Sequence, residues 1–331
     1  MQDGLGLTDV TRSVDGVRAL DRVTFTAAPG RVTALVGRAG SGTTTALRIA
    51  IGAVVPDAGT VTLDGRPVTA ADRRRWGHVP QEGGLHPRMT AHDQLVHLAQ
   101  LHGLSRAEAV AATDGVLEDL GLAAQAGERL DALAFDDQRR VRLAAALVHR
   151  PTCVLLDEPF AGLEPGGLAP LVALVRRYAD DGAPVLVATR RADLADRCCD
   201  DVVVLDAGRV VAAGPVAEVR AAHAGRRVRL RVDAPDEPAL VADLCALRGV
   251  ALHGSARRTG LGDGPGDRPG DGSRTGLTQH AAGGTTLELD LSEDADDQQV
   301  LAAALRHGAV RELLTLAPTL DEVFGGGGGN R

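Results

Sequence analysis

The stretch from Val32 to Val54, VTALVGRAGSGTTTALRIAIGAV, leaves this chain few options. The run VTALV reads as a short buried strand. A turn holding Gly37, Gly40 and Gly42 follows it, and three threonines then open an apolar helix. Strand, glycine turn and helix in that order predict an α/β unit whose turn points successive N–H groups at one anion. The helix N-terminus adds partial positive charge. Such a turn is built to hold phosphate.

The nucleotide-binding form of this unit, the P-loop, reads G-x-x-x-x-G-K-S/T. Here Gly37, Arg38, Ala39, Gly40, Ser41 and Gly42 fill the loop, Thr43 stands at the lysine position, and Thr44 and Thr45 follow. The cradle is present and its charge is missing. A hydrogen bond to a charged group contributes about 1.5–3 kcal/mol, and a cation also neutralises charge during phosphoryl transfer. Threonine offers one neutral hydrogen bond. Arg38, inside the loop, either lends charge or faces solvent.

A chain of 331 residues predicts two domains. A net charge of −8 argues against a nucleic-acid-binding body. No apolar run reaches the roughly 18 residues of a spanning helix, and the N-terminus lacks a signal-peptide pattern, so a membrane role is expected to come through a partner. Cys153, Cys198, Cys199 and Cys245 lack metal-ligand spacing and read as reduced thiols, Cys153 as a strand residue. His86, His92, His97 and His102 do not repeat one helical face and read as ordinary helix positions. The basic run Arg73, Arg74, Arg75 reads as a solvated face.

Further landmarks follow the loop in order. VPQEGGLHPRMTAHDQL contains Gln81. LAFDDQRRVRLAAALVHRP leads into CVLLDEP, with Asp157 and Glu158 at a strand end. AGLEP, APVLVATRRADLAD and VVVLDAGRVVAAG come after. With these in register, the chain from about Leu5 to Ala222 resembles the nucleotide-binding subunit of an ATP-binding-cassette (ABC) transporter, of the drug- and antibiotic-exporting type.

The resemblance implies an α/β fold: a P-loop NTPase cassette with a RecA-like core, an antiparallel β subdomain and a helical subdomain over residues 1–225. It implies ATP and Mg²⁺ as ligands. Thr44, Gln81 and Asp157 take the Mg²⁺ positions, Glu158 that of the general base and Gln81 that of the residue at the attacking water. Three departures accompany it. The signature L-S-G-G-Q reads Leu133, Ala134, Phe135, Asp136, Asp137, which places side chains where close backbone approach needs glycine and adds two carboxylates. Arg190 replaces the histidine that senses the γ-phosphate; it either binds phosphate or turns outward. Glu164 replaces the D-loop aspartate. Val14 stands where an aromatic stacks on adenine, and also reads as a plain strand residue.

Residues 226–324 predict a small C-terminal α+β domain of β-α-β-β-α-β type, interrupted at 257–284 by a Gly-, Asp-, Arg- and Pro-rich insertion expected to be disordered. Residues 325–331 form a Gly-rich tail, and APTLDEVF resembles the ending of drug-exporter subunits. Two functions are carried forward. One is a subunit that binds ATP and couples it to an integral membrane permease, with hydrolysis impaired, as a homodimer or as a heterodimer with another cassette. The other is an inactive scaffold or regulatory subunit that binds a permease or partner cassette without turnover. Translation and repair members of the family carry two cassettes per chain; this chain has one. The expected location is cytoplasmic, peripheral at the inner face of the membrane.

Overall fold

The computed structural model describes residues 4–163, 165–222, 226–253, 257–258, 285–292, 294–316 and 319–320. They divide into two compact units, Met1–Val219 with Thr319–Arg331, and Arg220–Pro318.

The first unit opens with the hairpin of β1 (Leu5–Val14) and β2 (Val17–Ala27). Asp15 and Gly16 both take positive φ in its two-residue turn, as hairpins of this length require. β3 (Val32–Val36), α1 (Thr43–Ala50), β4 (Ala58–Leu63) and β5 (Arg66–Pro67) follow. One antiparallel sheet runs β2-β1-β4-β5. The chain continues through α2 (Ala70–Arg73), β6 (Gly77–Val79), α3 (Ala91–Leu101), α4 (Arg106–Asp119), α5 (Phe135–Leu147) and β7 (Val154–Asp157). Then come α6 (Pro165–Asp180), β8 (Val185–Thr189), α7 (Ala192–Cys198), β9 (Asp201–Asp206), β10 (Arg209–Pro215) and α8 (Val216–Ala222).

The central sheet runs β10-β9-β3-β8-β7-β6, parallel except for β10. Every residue of β3, β7 and β8 is buried. That explains their unbroken apolar runs, since a parallel sheet is covered on both faces. Two helices of the 90–150 region, α3 and α4, begin at polar caps. Thr90 accepts from Asp93 N at α3, and Ser105 and Glu108 form a capping box at α4. Leu95, Leu117, Leu143 and Leu147 are buried between these helices, each contributing about 1.5–3 kcal/mol. The unit thus combines a mostly parallel core sheet, an antiparallel β sheet and a helical region, the arrangement that the resemblance implies.

The second unit holds β11 (Arg226–Asp233), α9 (Glu237–Cys245), β12 (Val250–Leu252), β13 (Arg257–Arg258), β14 (Thr285–Leu291), α10 (Asp297–His307) and β15 (Ala309–Leu316). Its antiparallel sheet runs β12-β14-β11-β15, with β13 also on β14. Alternation in TTLELDL buries Thr285, Leu287, Leu289 and Leu291 on one face.

Two local expectations change. Arg73 is not on a solvated face: its Nε donates to Ala50 O at 3.1 Å, a cation at the C-terminus of α1 where the helix carbonyls are unsatisfied. Arg257 and Arg258 pair with Thr286 and Thr285, so the first two residues of the expected insertion belong to the sheet. Residues 259–284, Glu164, the 325–331 tail and the last residues of APTLDEVF lie outside the described residues. Leu320 of that ending is fully buried in the first unit, in one cluster with Ala34, Val36 and Val202.

Candidate functional site

β3, β8 and β7 lie side by side, with Val36 opposite Thr189 and Asp157 opposite Ala188. The residues that follow them, Gly37, Arg190 and Glu158, therefore leave the sheet together at its carboxyl edge, where ligands bind in open α/β sheets.

The loop after β3 is tightly determined. Ser41 N donates to Arg38 O at 3.0 Å and closes the turn. Gly42 caps α1 at φ +103°, and a Cβ there would stand 2.4 Å from Ala19 O. Any side chain would collide with β2. A Cβ on Gly37 would stand 2.1 Å from Ser41 Oγ, and that hydroxyl is buried without a protein partner among the described residues. The loop has room for backbone only at these positions, and it lines the cavity beside it.

That cavity measures about 350 Å³. Arg38, Ala39, Gly40, Gly42, Thr43, Thr44 and Thr45 form one wall. Gln81, Glu158 and Arg190 reach it from other loops, and Val14 and Ala19 line it from the hairpin. Thr43 is 8% exposed, whereas Arg38 is exposed at the rim. Val14 is 45% exposed and brings an isopropyl group where a stacking ring would lie.

Thr44 Oγ1 donates to Asp157 Oδ1 at 3.4 Å. Burial pushes the Asp157 carboxyl above its ordinary range, opposed by the Thr44 bond. The Gln81 backbone is held through its carbonyl by Arg142 Nη1 at 3.3 Å. Thr44, Asp157 and Gln81 offer a hydroxyl, a carboxylate and an amide oxygen, the donor set a hard cation takes. These residues fit Mg²⁺, which would counter the desolvation that raises Asp157.

Glu158 sits at φ +48° just past β7. Its Oε1 accepts from Arg190 N at 2.8 Å and from Arg190 Nε at 3.1 Å. Its Oε2 accepts from Thr189 Oγ1 at 3.1 Å. Arg190 thus turns inward onto the carboxylate. Sequence reasoning missed Thr189 as a holder of Glu158; the signal was a polar residue closing the apolar strand VLVAT. It also missed Arg142, which sits on α5, remote in sequence from Gln81.

The residues at the signature position do not line this cavity. Ala134 caps α5 without a side-chain bond, and Asp136 and Asp137 occupy the first turn. Phe135 is 54% exposed with the Arg139 guanidinium carbon 5.0 Å from its ring centroid. No cluster of His, Cys, Asp and Glu suited to a metal occurs among the described residues.

Comparison with known proteins bears on the fold and the family. The family profile described as "ABC transporter" matches residues 20–161. "Nod factor export ATP-binding protein I" of Paraburkholderia xenovorans is 33% identical over 72% of this chain and 79% of its own. "Daunorubicin/doxorubicin resistance ATP-binding protein DrrA" of Streptomyces peucetius is 31% identical over 75% and 76%. "Uncharacterized ABC transporter ATP-binding protein YhaQ" of Bacillus subtilis is 28% identical over 97% of both chains. A solved "ATP binding subunit of ABC transporter" superposes with a TM-score of 0.61 at 27% identity, over 66% of this chain and 92% of that one.

Proposed function

The chain belongs to the ATP-binding proteins of ABC transporters, and from that membership we propose that it is the nucleotide-binding subunit of an export system whose hydrolysis is impaired. The export reading is supported by relatives named for Nod factor export and for drug resistance. No helix among the described residues is long and apolar enough to cross a membrane; in this reading a permease supplies the passage and holds the subunit at the cytoplasmic face. In this reading the first unit, Met1–Val219 with Thr319–Arg331, is the cassette and Arg220–Pro318 an accessory domain.

One observation carries the impairment. Thr43 places a neutral hydroxyl in the phosphate wall of the cavity, where the family has a lysine. The loop would bind and orient phosphates, and Thr44, Asp157 and Gln81 would hold Mg²⁺, whose charge would offset that of the phosphates. Glu158 takes up a proton from water once its Oε1 is free to accept it. Removing one donor to a transition-state charge typically slows an enzyme about 10²–10³-fold, so turnover should be slow with the lysine absent. Calorimetric titration of the full chain with MgATP, with single-turnover hydrolysis on the same sample, tests this. Micromolar binding with turnover far below one per minute is expected. Absence of binding at millimolar MgATP overturns the nucleotide-binding reading.

The scaffold alternative draws on a separate observation, the two carboxylates in the first turn of α5. They oppose a triphosphate brought to that helix end by a partner cassette.

A further inference from the structure

The chain contains no lysine: all 36 of its Lys+Arg residues are arginines. Any permanently charged side-chain cation that this chain brings to the phosphate site must therefore be a guanidinium. Two arginines line the cavity, Arg38 and Arg190. Arg38 stands on the rim of the loop itself. Arg190 occupies a different place in the topology, and that place decides its role.

β8 lies between β3 and β7. Arg190, following β8, is flanked by the phosphate loop on one side and by Glu158 on the other. Neighbouring strands are about 4.8 Å apart, within the swing of an arginine side chain. Its side chain is 55% exposed, while the Glu158 side chain is 10% exposed. Glu158 also does not depend on the guanidinium for its position. Arg190 N and Thr189 Oγ1 hold its two oxygens, and both donors remain if the guanidinium leaves. The ion pair itself uses Nε; among the described residues neither Nη1 nor Nη2 makes a hydrogen bond. The guanidinium is a charged fork tethered at one edge, facing a phosphate wall whose lysine position holds Thr43 and whose own arginine, Arg38, is exposed at the rim.

Building on the nucleotide-binding reading above, we propose that Arg190 is the phosphate-binding cation of this cassette and Glu158 its resting partner. A nucleoside triphosphate draws the guanidinium across the cavity, which supplies the charge that Thr43 lacks and uncovers Oε1 of Glu158. One residue then links occupancy of the phosphate site to release of the carboxylate. Guanidinium suits the task because its fork meets two phosphate oxygens at once.

The test is MgATP and MgADP titration of the full chain and of Arg190→Ala, Glu158→Gln and the double variant, with thermal melts as a folding control. Arg190→Ala is expected to weaken MgATP at least tenfold and MgADP less, so that the preference for triphosphate collapses. Glu158→Gln, which removes the resting partner's charge, should tighten MgATP about two- to fivefold, the scale of a half-exposed ion pair. In the Arg190→Ala background that gain should vanish. Unchanged MgATP affinity in Arg190→Ala overturns the proposal while leaving the nucleotide-binding reading intact. An equal gain from Glu158→Gln in both backgrounds also overturns it, because simple removal of a negative charge would then account for the effect. No binding by the parent chain overturns both.

Discussion

At Thr43 the backbone and the side chain give opposite instructions. Gly42 holds the N-terminus of α1 open toward the cavity, and the first side chain of the helix then contributes only a hydroxyl. Thr43→Lys restores an ammonium at that position. With about 1.5–3 kcal/mol for a hydrogen bond to a charged group, MgATP should bind about ten- to a hundredfold more tightly, measured by titration calorimetry. No gain, in the parent chain and in the Arg190→Ala background alike, would show that a cation at position 43 does not reach the phosphates. Thr44 tests the ion separately. Its hydroxyl touches Asp157 Oδ1, so Thr44→Val should remove most of the difference between ATP affinity with Mg²⁺ and with EDTA, while leaving metal-free affinity near the parent value. These positions were legible in the sequence because loop, cap and strand-end residues are fixed by chain order. The direction of Arg190 was not. Its side-chain torsions are set by a carboxylate 32 residues earlier, and no local pattern encodes that meeting.

Secondary elements were legible where one periodicity dominated. The buried strand before the loop, the Asp15–Gly16 hairpin and the alternating TTLELDL were all readable, since burial on two faces, a positive-φ turn and burial on one face leave different patterns. β13 was not, because two arginines carry no strand period and pair only through β14. The ends of α3 and α5 also hid a contact. His102, capping α3, stacks on His149 just past α5, with ring centroids 3.6 Å apart and planes 10° from parallel. His102 Nδ1 and His149 Nε2 bond the carbonyls of Arg74 and Trp76. Burial, reinforced by His102, pushes the His149 pKa down from 6.5 to about 4. The unfolded chain therefore takes up this proton below about pH 6.5, and the folded chain only near pH 4. Stability present above pH 6.5 should be lost as the pH falls toward 4. Urea unfolding of the parent chain should lose about 1–2 kcal/mol more between pH 7 and 5 than His149→Gln does. His78, also pushed down by burial, leaves a residual slope in the variant. Parallel pH profiles would assign the titration elsewhere.

The whole molecule poses a question of assembly. In the resemblance that identifies the signature position, a second cassette presents its triphosphate to the N-terminus of α5. A bare helix end attracts an anion. Here Asp136 and Asp137 already neutralise the end, each stabilising the helix by about 0.3–1 kcal/mol. Phe135 projects beside them, with Gly162 packed against its ring: a Cβ on Gly162 would stand 3.1 Å from Phe135 Cε1. An incoming triphosphate would meet a ring and two carboxylates, Asp137 paired with Arg140 at 3.3 Å, in place of amides and a hydroxyl. Two copies of this chain would combine a cation-poor phosphate loop with an anion-repelling helix end at both sites, so nucleotide gives them little reason to associate. Light scattering after size exclusion should therefore report the same mass with and without MgATP. Back-substitution to the family signature, Ala134→Ser with Phe135→Gly, Asp136→Gly and Asp137→Gln, combined with Thr43→Lys, should make the mass rise with MgATP. If the parent chain already doubles its mass on adding MgATP, the acidic turn does not repel the partner's nucleotide and the pairing is of the ordinary kind. If the back-substituted chain binds MgATP tightly and still does not associate, the obstacle lies outside α5. If only the back-substituted chain pairs, the residues at the start of α5 together with Thr43 are what keep two copies of the parent from pairing on nucleotide.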